Sequence, residues 1–437
     1  MGPQGRTLIS HARIISCSGD LTERPFEGDI LIEGDRIGGV FRGPAPVDAG
    51  SVQVVDVAGA IALPGLCDAH AHISSPLDNF DGYGVVGMAE DEHALEVAGV
   101  VKTYLASGYT SLVGAGAFKS RIDVLIQSAI DREIIAGPRL WPAGLHLTTR
   151  GGVGPGRVEV GDPEEMRRMV GEQCELGVRF VKLLPSGGED DLRPPDWVPP
   201  SDEAVPATMD DAMVSAAVAE ATAQGAFVSM HARSTASIRT AARNGVRIIH
   251  HATYLDDASI SEVVAARDEI WVCPALHWLR AVAEGQAEPY GVGRAITERP
   301  LQASIDGLPK LHSNGVRIIN GGDFGQLPWT KHGTYAAELV SYVELLGLSP
   351  LEALLTATAN AGPLVGEALG QLREGYLADL LFVDGDPTTD IAVLLDHDRL
   401  GPVVKGGRPV LAGWGELERW ARSSNTRRLQ SKEQSHA

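Results

Sequence analysis

Hydrophobic positions along this 437-residue chain change their spacing twice. Between residues 7 and 62, apolar and polar positions alternate over three stretches, 7–16, 29–40 and 52–63, with turns at Gly34-Asp35 and Gly43-Pro44. Such period-two alternation predicts half-buried β-strands. From Pro64 the pattern becomes short continuous apolar runs separated by longer amphipathic stretches. The runs predict eight strands, over 65–71, 111–116, 139–144, 179–184, 227–232, 246–252, 270–275 and 316–321. Between them, spacing near 3.6 predicts helices that include 91–106, 122–135, 163–176, 209–224 and 234–244. The junctions Leu176-Gly177-Val178-Arg179, Asn244-Gly245-Val246-Arg247 and Asn314-Gly315-Val316-Arg317 read as helix C-caps feeding the next strand.

Repeated strand–helix units predict an α/β chain, with a (β/α)8 TIM-like barrel at its centre. After Ala361 strand character returns, over 370–384 and 403–414. The two ends of the chain are therefore expected to form a small β-sandwich together. The expected organisation is residues 1–62 and 363–422 as the two parts of that sandwich, 63–362 as the barrel, and 423–437 as a polar, mobile tail.

Composition narrows the function classes. A net charge of −20 disfavours nucleic acid or an anionic membrane surface as a partner. Cys17, Cys67, Cys174 and Cys273 are scattered with no CxxC spacing, which suits reduced thiols rather than a disulfide framework. No apolar run reaches the ~18 residues of a membrane span, and Met1 to Arg6 carry no charged-then-apolar leader pattern. A cytoplasmic protein is expected, with a small-molecule substrate and further copies of itself as partners.

Candidate chemistry collects at strand ends, where barrels of this kind carry their active groups. His70 and His72 close the first strand one residue apart, so their side chains share a face. Lys182 lies near the end of the fourth strand, His231 ends the fifth, His251 ends the sixth and Asp323 follows the eighth. Four imidazoles and a carboxylate suit Zn2+ or a similar divalent ion. A lysine facing such ions could ligate only as a CO2-derived carbamate, a reaction that burial favours by lowering the amine pKa. Asp323 would contact a metal and take a proton from the attacking water.

These residues sit in a pattern that resembles the amidohydrolase superfamily over nearly the whole chain. The lead-in runs from Ile61 through Leu63-Pro64-Gly65-Leu66-Cys67-Asp68-Ala69-His70-Ala71-His72. Phe180-Val181-Lys182-Leu183-Leu184-Pro185 follows, then His231, then Ile249-His250-His251-Ala252, then Gly322-Asp323. The exit reads Leu377-Ala378-Asp379-Leu380-Leu381-Phe382-Val383-Asp384-Gly385-Asp386-Pro387. Within the superfamily the chain is similar to the prolidase-like branch, which includes dipeptidases, ochratoxin-cleaving hydrolases and hydrolases of urea or carbamate herbicides. That resemblance implies two ions, Zn2+ or alternatively Mn2+, Co2+ or Fe2+. His70, His72 and Asp323 would hold one, His231 and His251 the other, and carboxylated Lys182 would bridge them. The implied reaction is cleavage of an amide, urea or carbamate C–N bond by metal-bound hydroxide, with Asp323 relaying the proton to the departing nitrogen.

Around this set the chain departs from its branch. It reads Gly151-Gly152-Val153 where relatives often carry Gly-Gly-His, His231-Ala232-Arg233 after the fifth strand, and His250 where an acid usually precedes the sixth-strand ligand. A remodelled substrate pocket is expected. His146 and His277, after the third and seventh strands, could polarise the substrate or simply bond their loops. Arg233 could bind a substrate carboxylate or pair with a local acid. Tyr254, Trp278 and Trp329 could line an aromatic pocket or pack loops. His250, alternating with His251, is expected to point away from the barrel interior. Asp190-Asp191 reads as a solvated loop, and Gly151 to Gly156 lacks the lysine of a phosphate loop. Two substrate classes stay open, acidic N-acyl amino acids or dipeptides and neutral ureas, carbamates or anilides. The alternative of another kind is a metal-binding barrel that serves assembly without turnover.

Overall fold

The computed structural model describes residues 5–76, 84–119, 121–149, 157–185, 208–325 and 327–435. The turn at Gly151 to Gly156 and the Asp190-Asp191 loop lie outside the described residues. The chain divides into two compact units, residues 1–67, 102–111 and 348–437 in one and residues 68–101 and 112–347 in the other.

In the first unit, Arg6–Ile14 pairs antiparallel with Phe26–Glu33, which pairs antiparallel with Arg36–Arg42. The expected strand over 29–40 is thus two strands, divided where Gly34 supplies a left-handed φ of 64°. Gln53–Asp56 and Ile61–Pro64 both run parallel to Arg6–Ile14, at successive positions along it. Leu380–Val383 then adds antiparallel to Ile61–Pro64, with Phe382 opposite Ala62. Val403–Lys405 and Arg408–Val410 complete an eight-stranded sheet. The expected β-sandwich is not confirmed, because the C-terminal strands extend the N-terminal ladder edge to edge as one sheet. The core of the unit gathers the alternating Ile9, Ile14, Ile30, Ile32, Leu380 and Phe382 with Leu417 and Ala421 of a helix spanning Trp414–Ser435. The segment from Ser423, expected to be a mobile tail, continues that helix. Ser424 is buried and Arg427 Nη2 lies 3.3 Å from Asp384 Oδ2, so this polar stretch keeps tertiary contacts.

Elsewhere the expected alternation appears. All eight expected strands form, as Leu66–Ala71, Tyr109–Gly114, Arg139–Trp141, Phe180–Leu184, Phe227–Ala232, Ile248–His251, Trp271–Cys273 and Arg317–Ile318. The first three form one sheet; the last five join His146–Thr148 and Arg157–Glu159 in a seven-stranded sheet paired in parallel. Two sheets arise instead of one ring because the third run breaks. Gly144, at φ 64°, turns the chain after Trp141, and pairing resumes in the other sheet at His146. Backbone bonds cross both seams, Arg179 N and Phe180 N to Pro142 O at 2.8 and 3.1 Å, and Ala69 N to Asn320 O at 2.8 Å.

The helices start where side-chain acceptors cap them. Asp162 caps Pro163–Glu175, Asp210 caps Asp211–Ala223, Ser234 caps Thr235–Arg243 and Asp256 caps Asp257–Ala265. Gly245 and Gly315, at φ 74° and 81°, end their helices in the left-handed conformation expected of these junctions. Short capped helices between buried parallel strands leave the strand C-termini as the place where polar side chains converge.

Candidate metal centre

The first strand, Leu66–Ala71, is buried at every position, so the side chains that close it lie away from bulk solvent. His70 and His72 end there with ring centroids 5.2 Å apart. Asp68 Oδ1 accepts the His70 backbone N–H at 2.8 Å and fixes the strand end from within. Asp323 reaches the same point from beyond Arg317–Ile318. Its Oδ1 lies 3.0 Å from His72 Nε2 and 3.6 Å from His70 Nε2. Burial would raise the Asp323 carboxyl, but the His72 hydrogen bond and the nearby His72, Lys182 and Arg233 charges outweigh it and hold it below the usual carboxylate value.

The fifth and sixth strands bring the remaining imidazoles. His231 and His251 lie with centroids 4.4 Å apart. In the ladder, however, His231 is registered opposite His250, and parallel partners project to the same side. His250 accordingly lies 4.0 Å from the His70 ring, centroid to centroid, and is wholly buried. The expected outward orientation is therefore wrong. Alternation fails because His251 leaves the extended conformation at φ 71°, turning its own ring back toward the cluster that His250 already faces.

Lys182 is 1% exposed, and its charge acts on His70, His250, His251 and Asp323. Burial, followed by neighbouring positive groups, holds His70, His250 and His251 well below the ordinary imidazole pKa. They are neutral at physiological pH, the form in which imidazole ligates metals.

The donor set fits a divalent cation. One ligand atom each from His70, His251 and Asp323 lies within 4.8 Å of the others, all three residues being buried. His70 Nδ1, His72 Nδ1 and His251 Nδ1 are buried with no hydrogen-bond partner, a costly state for an uncharged protein interior. Nitrogen and carboxylate donors of this kind suit zinc and neighbouring first-row ions.

The candidate substrate residues separate into groups. His146 stacks on His72, with centroids 5.9 Å apart and planes 15° from parallel. The Arg233 guanidinium is buried, 5.5 Å over the Trp278 ring and 3.5 Å from Thr253 Oγ1. Trp278 in turn lies 6.4 Å from Trp329, which packs with Ala281, Val282 and Val292. Arg233, Trp278 and Trp329 thus form one continuous wall, beginning two residues from His231. His277 instead stacks on Phe324 at 5.6 Å, next to Asp323, and burial followed by the Arg280 charge lowers its pKa to about 4. Tyr254 carries the Arg299 guanidinium 5.8 Å over its ring.

A residue that sequence reasoning missed is Glu338, on the helix Ala337–Leu346. Its carboxylate accepts Leu276 N at 2.8 Å and His277 N at 2.6 Å, the first amides of the helix Leu276–Ala283 that carries His277 and Trp278. That helix has no side-chain cap of its own, so Glu338 caps it from another element. No local pattern announces a cap 61 residues away.

Comparison with known proteins identifies the family and the fold. The profile of the Amidohydrolase family matches residues 61–410. Ochratoxinase of Aspergillus niger is 29% identical over 399 residues, which cover 82% of this chain and 78% of that protein. Its crystal structure aligns at TM-score 0.78, covering 95% of this chain and 98% of that one at 24% identity. A prolidase solved with N-methylphosphonate-L-proline is 26% identical at TM-score 0.77, covering 93% and 99% of the two chains. Phenylurea hydrolase B, 20% identical at TM-score 0.77 over 93% and 97%, shares the fold alone. The fold common to these proteins is an α/β TIM-like barrel.

Proposed function

The chain belongs to the amidohydrolase family, and from that membership we propose that it is a binuclear metal-dependent hydrolase of small-molecule C–N bonds. The observation that carries the reading is the buried convergence of His70, His251 and Asp323 donor atoms within 4.8 Å. His70, His72 and Asp323 would hold one ion and His231 and His251 the other, with Lys182 as its carbamate between them. When bound, such ions supply a polarising Lewis acid and a water acidic enough to give hydroxide near pH ~7.

The chain's own residues do the rest. Asp323, kept ionised by His72 and the surrounding positive charge, accepts the proton of the attacking water at a carboxylate oxygen. It then returns that proton to the leaving nitrogen, which departs as a neutral amine. The buried strands and the aromatic wall exclude bulk water from this exchange.

The substrate favoured by the pocket is an N-acyl amino acid or dipeptide. A buried guanidinium held over an indole is a bidentate, desolvated partner for a carboxylate. Trp278 and Trp329 would take the apolar part of the same molecule. The reading in favour of neutral ureas, carbamates or anilides rests on that same aromatic wall, with Arg233 stacked rather than engaged.

The deciding experiment is mass-spectrometric turnover by metal-replete protein against a pool containing both substrate classes. Loss of only the acidic compounds supports the favoured reading. Loss of only the neutral ones transfers the assignment to urea or anilide hydrolysis. No turnover of any member, with Asp323→Asn indistinguishable from the parent, leaves the assembly barrel as the better account.

A further inference from the structure

Strand register places a second group of donors inside the same unit. His250 is 0% exposed, and neither Nδ1 nor Nε2 has a hydrogen-bond partner. A fully buried imidazole normally places at least its N–H, so two orphaned nitrogens on one ring call for a ligand. The side chain cannot be explained as core packing, since a phenyl ring would fill the space without that cost.

What His250 faces is specific. Its backbone is registered against Cys273 of the seventh strand, so the two side chains project to one side. One donor atom each from His70, His250 and Cys273 lies within 4.8 Å of the others, and all three residues are buried. The Cys273 thiol has one weak contact, at 3.5 Å to Gly321 O. The recess is also tight: a Cβ built on Gly321 would come within 2.6 Å of Cys273 Sγ and 2.8 Å of His70 Cβ, so glycine is required beside it.

We propose that His70, His250 and Cys273 form a further cation site that takes a thiophilic divalent ion such as Zn2+, Co2+ or Cd2+. Two neutral imidazoles and a thiolate are donors that soft and borderline ions prefer over the harder carboxylate set. Binding converts the Cys273 thiol to a metal-bound thiolate and releases its proton to solvent, while the imidazoles lose nothing. Because His70 belongs to both donor sets, an ion here competes with the hydrolytic centre for one imidazole. The inference needs no turnover and stands apart from the proposed hydrolysis.

The test is a titration of the chelator-stripped full chain with Co2+, followed by absorption. A thiolate-to-cobalt charge-transfer band is expected, abolished by Cys273→Ser, with weaker cobalt absorption from the nitrogen and oxygen donors retained. His250→Gln should raise the cobalt concentration for half-maximal band intensity at least tenfold. X-ray absorption on the zinc-saturated parent protein needs no variant and should include sulfur scattering at ~2.3 Å. A titration without the band, a band unchanged in Cys273→Ser, or a zinc shell of nitrogen and oxygen alone overturns the proposal. Hydrolysis without sulfur ligation removes this site only; sulfur ligation without hydrolysis removes the enzymatic reading only.

Discussion

The two units treat polar groups and backbone strain in opposite ways. In the first, the buried interior is apolar, Ile9, Ile14, Ile30, Leu380 and Phe382 among its members. Two of its left-handed non-glycine residues sit at irregularities of the sheet. His11 lies where the register of Arg6–Ile14 shifts, and Ala58 in the turn before Ile61–Pro64. In the second unit, four of the left-handed residues gather at strand ends: His251 and Ala252 at the sixth, Ala275 after the seventh and Asp323 after the eighth. There, buried imidazoles, a lysine and a carboxylate gather at the strand ends beside an apolar core. Backbone strain costs about 1–3 kcal/mol per residue and persists where surrounding structure overrides it, commonly at functional sites. The contrast separates a region built to be stable from one built to bring unlike donors together.

The sharpest way to break this contrast is Asp323→Asn. It should lower turnover by about 10^2–10^4-fold, the contribution of a positioned general base, with little change in folding. Kinetics on protein of measured metal content decide it, and a loss under threefold would remove Asp323 from the proton path. The counterpart in the first unit is Phe382→Ala. It should cost about 3–5 kcal/mol through lost burial and a cavity. Urea unfolding measures this, and a cost below about 1 kcal/mol would mean that the sheet core is loosely packed.

A smaller effect is expected from Glu338. Burial, opposed by the His277 and Leu276 amides, raises its pKa from 4.5 to about 7. The folded chain therefore holds a proton that the unfolded chain has lost between these values. The stability this group contributes is complete below about pH 4.5 and declines as pH rises to about 7. Relative to Glu338→Gln, the parent should lose on the order of 3 kcal/mol across that window. Parallel denaturation curves that keep a constant separation would refute it. The least effect is expected at the pocket wall. Arg233→Met should raise KM for carboxylate-bearing substrates about tenfold or more, the loss of one charge-assisted contact, and leave neutral substrates unchanged. An equal change for both classes would count against a carboxylate at Arg233.

Much of the fold was legible before any coordinates. Period-two stretches, apolar runs and capped junctions marked eight strands of the alternating region, because each is a local pattern that burial enforces, but not the short His146–Thr148 and Arg157–Glu159, which are strands only through their pairing. The cluster around His70 was legible too, since HxH spacing and strand-terminal placement are sequence properties. His250 was not. Its orientation depends on the register opposite His231 and on the φ of His251, and neither is encoded in the alternation of one strand. Glu338 escaped notice for a related reason: its amide partners lie on another helix. The tail from Ser423 looked disordered by composition, whereas Arg427 gains a carboxylate and Ser424 a buried place only once the helix is docked.

By itself, then, the order of residues determined which segments become strands and helices, and which residue types could hold a cation. Those outcomes follow from side-chain periodicity and donor chemistry, which act over a few residues. Only tertiary structure decided that both chain ends share one sheet, that His250 faces inward beside Cys273, and that Arg233 rests on Trp278. Each depends on pairing between distant strands or helices, where the free energy of burial selects one register among several that the local pattern allows.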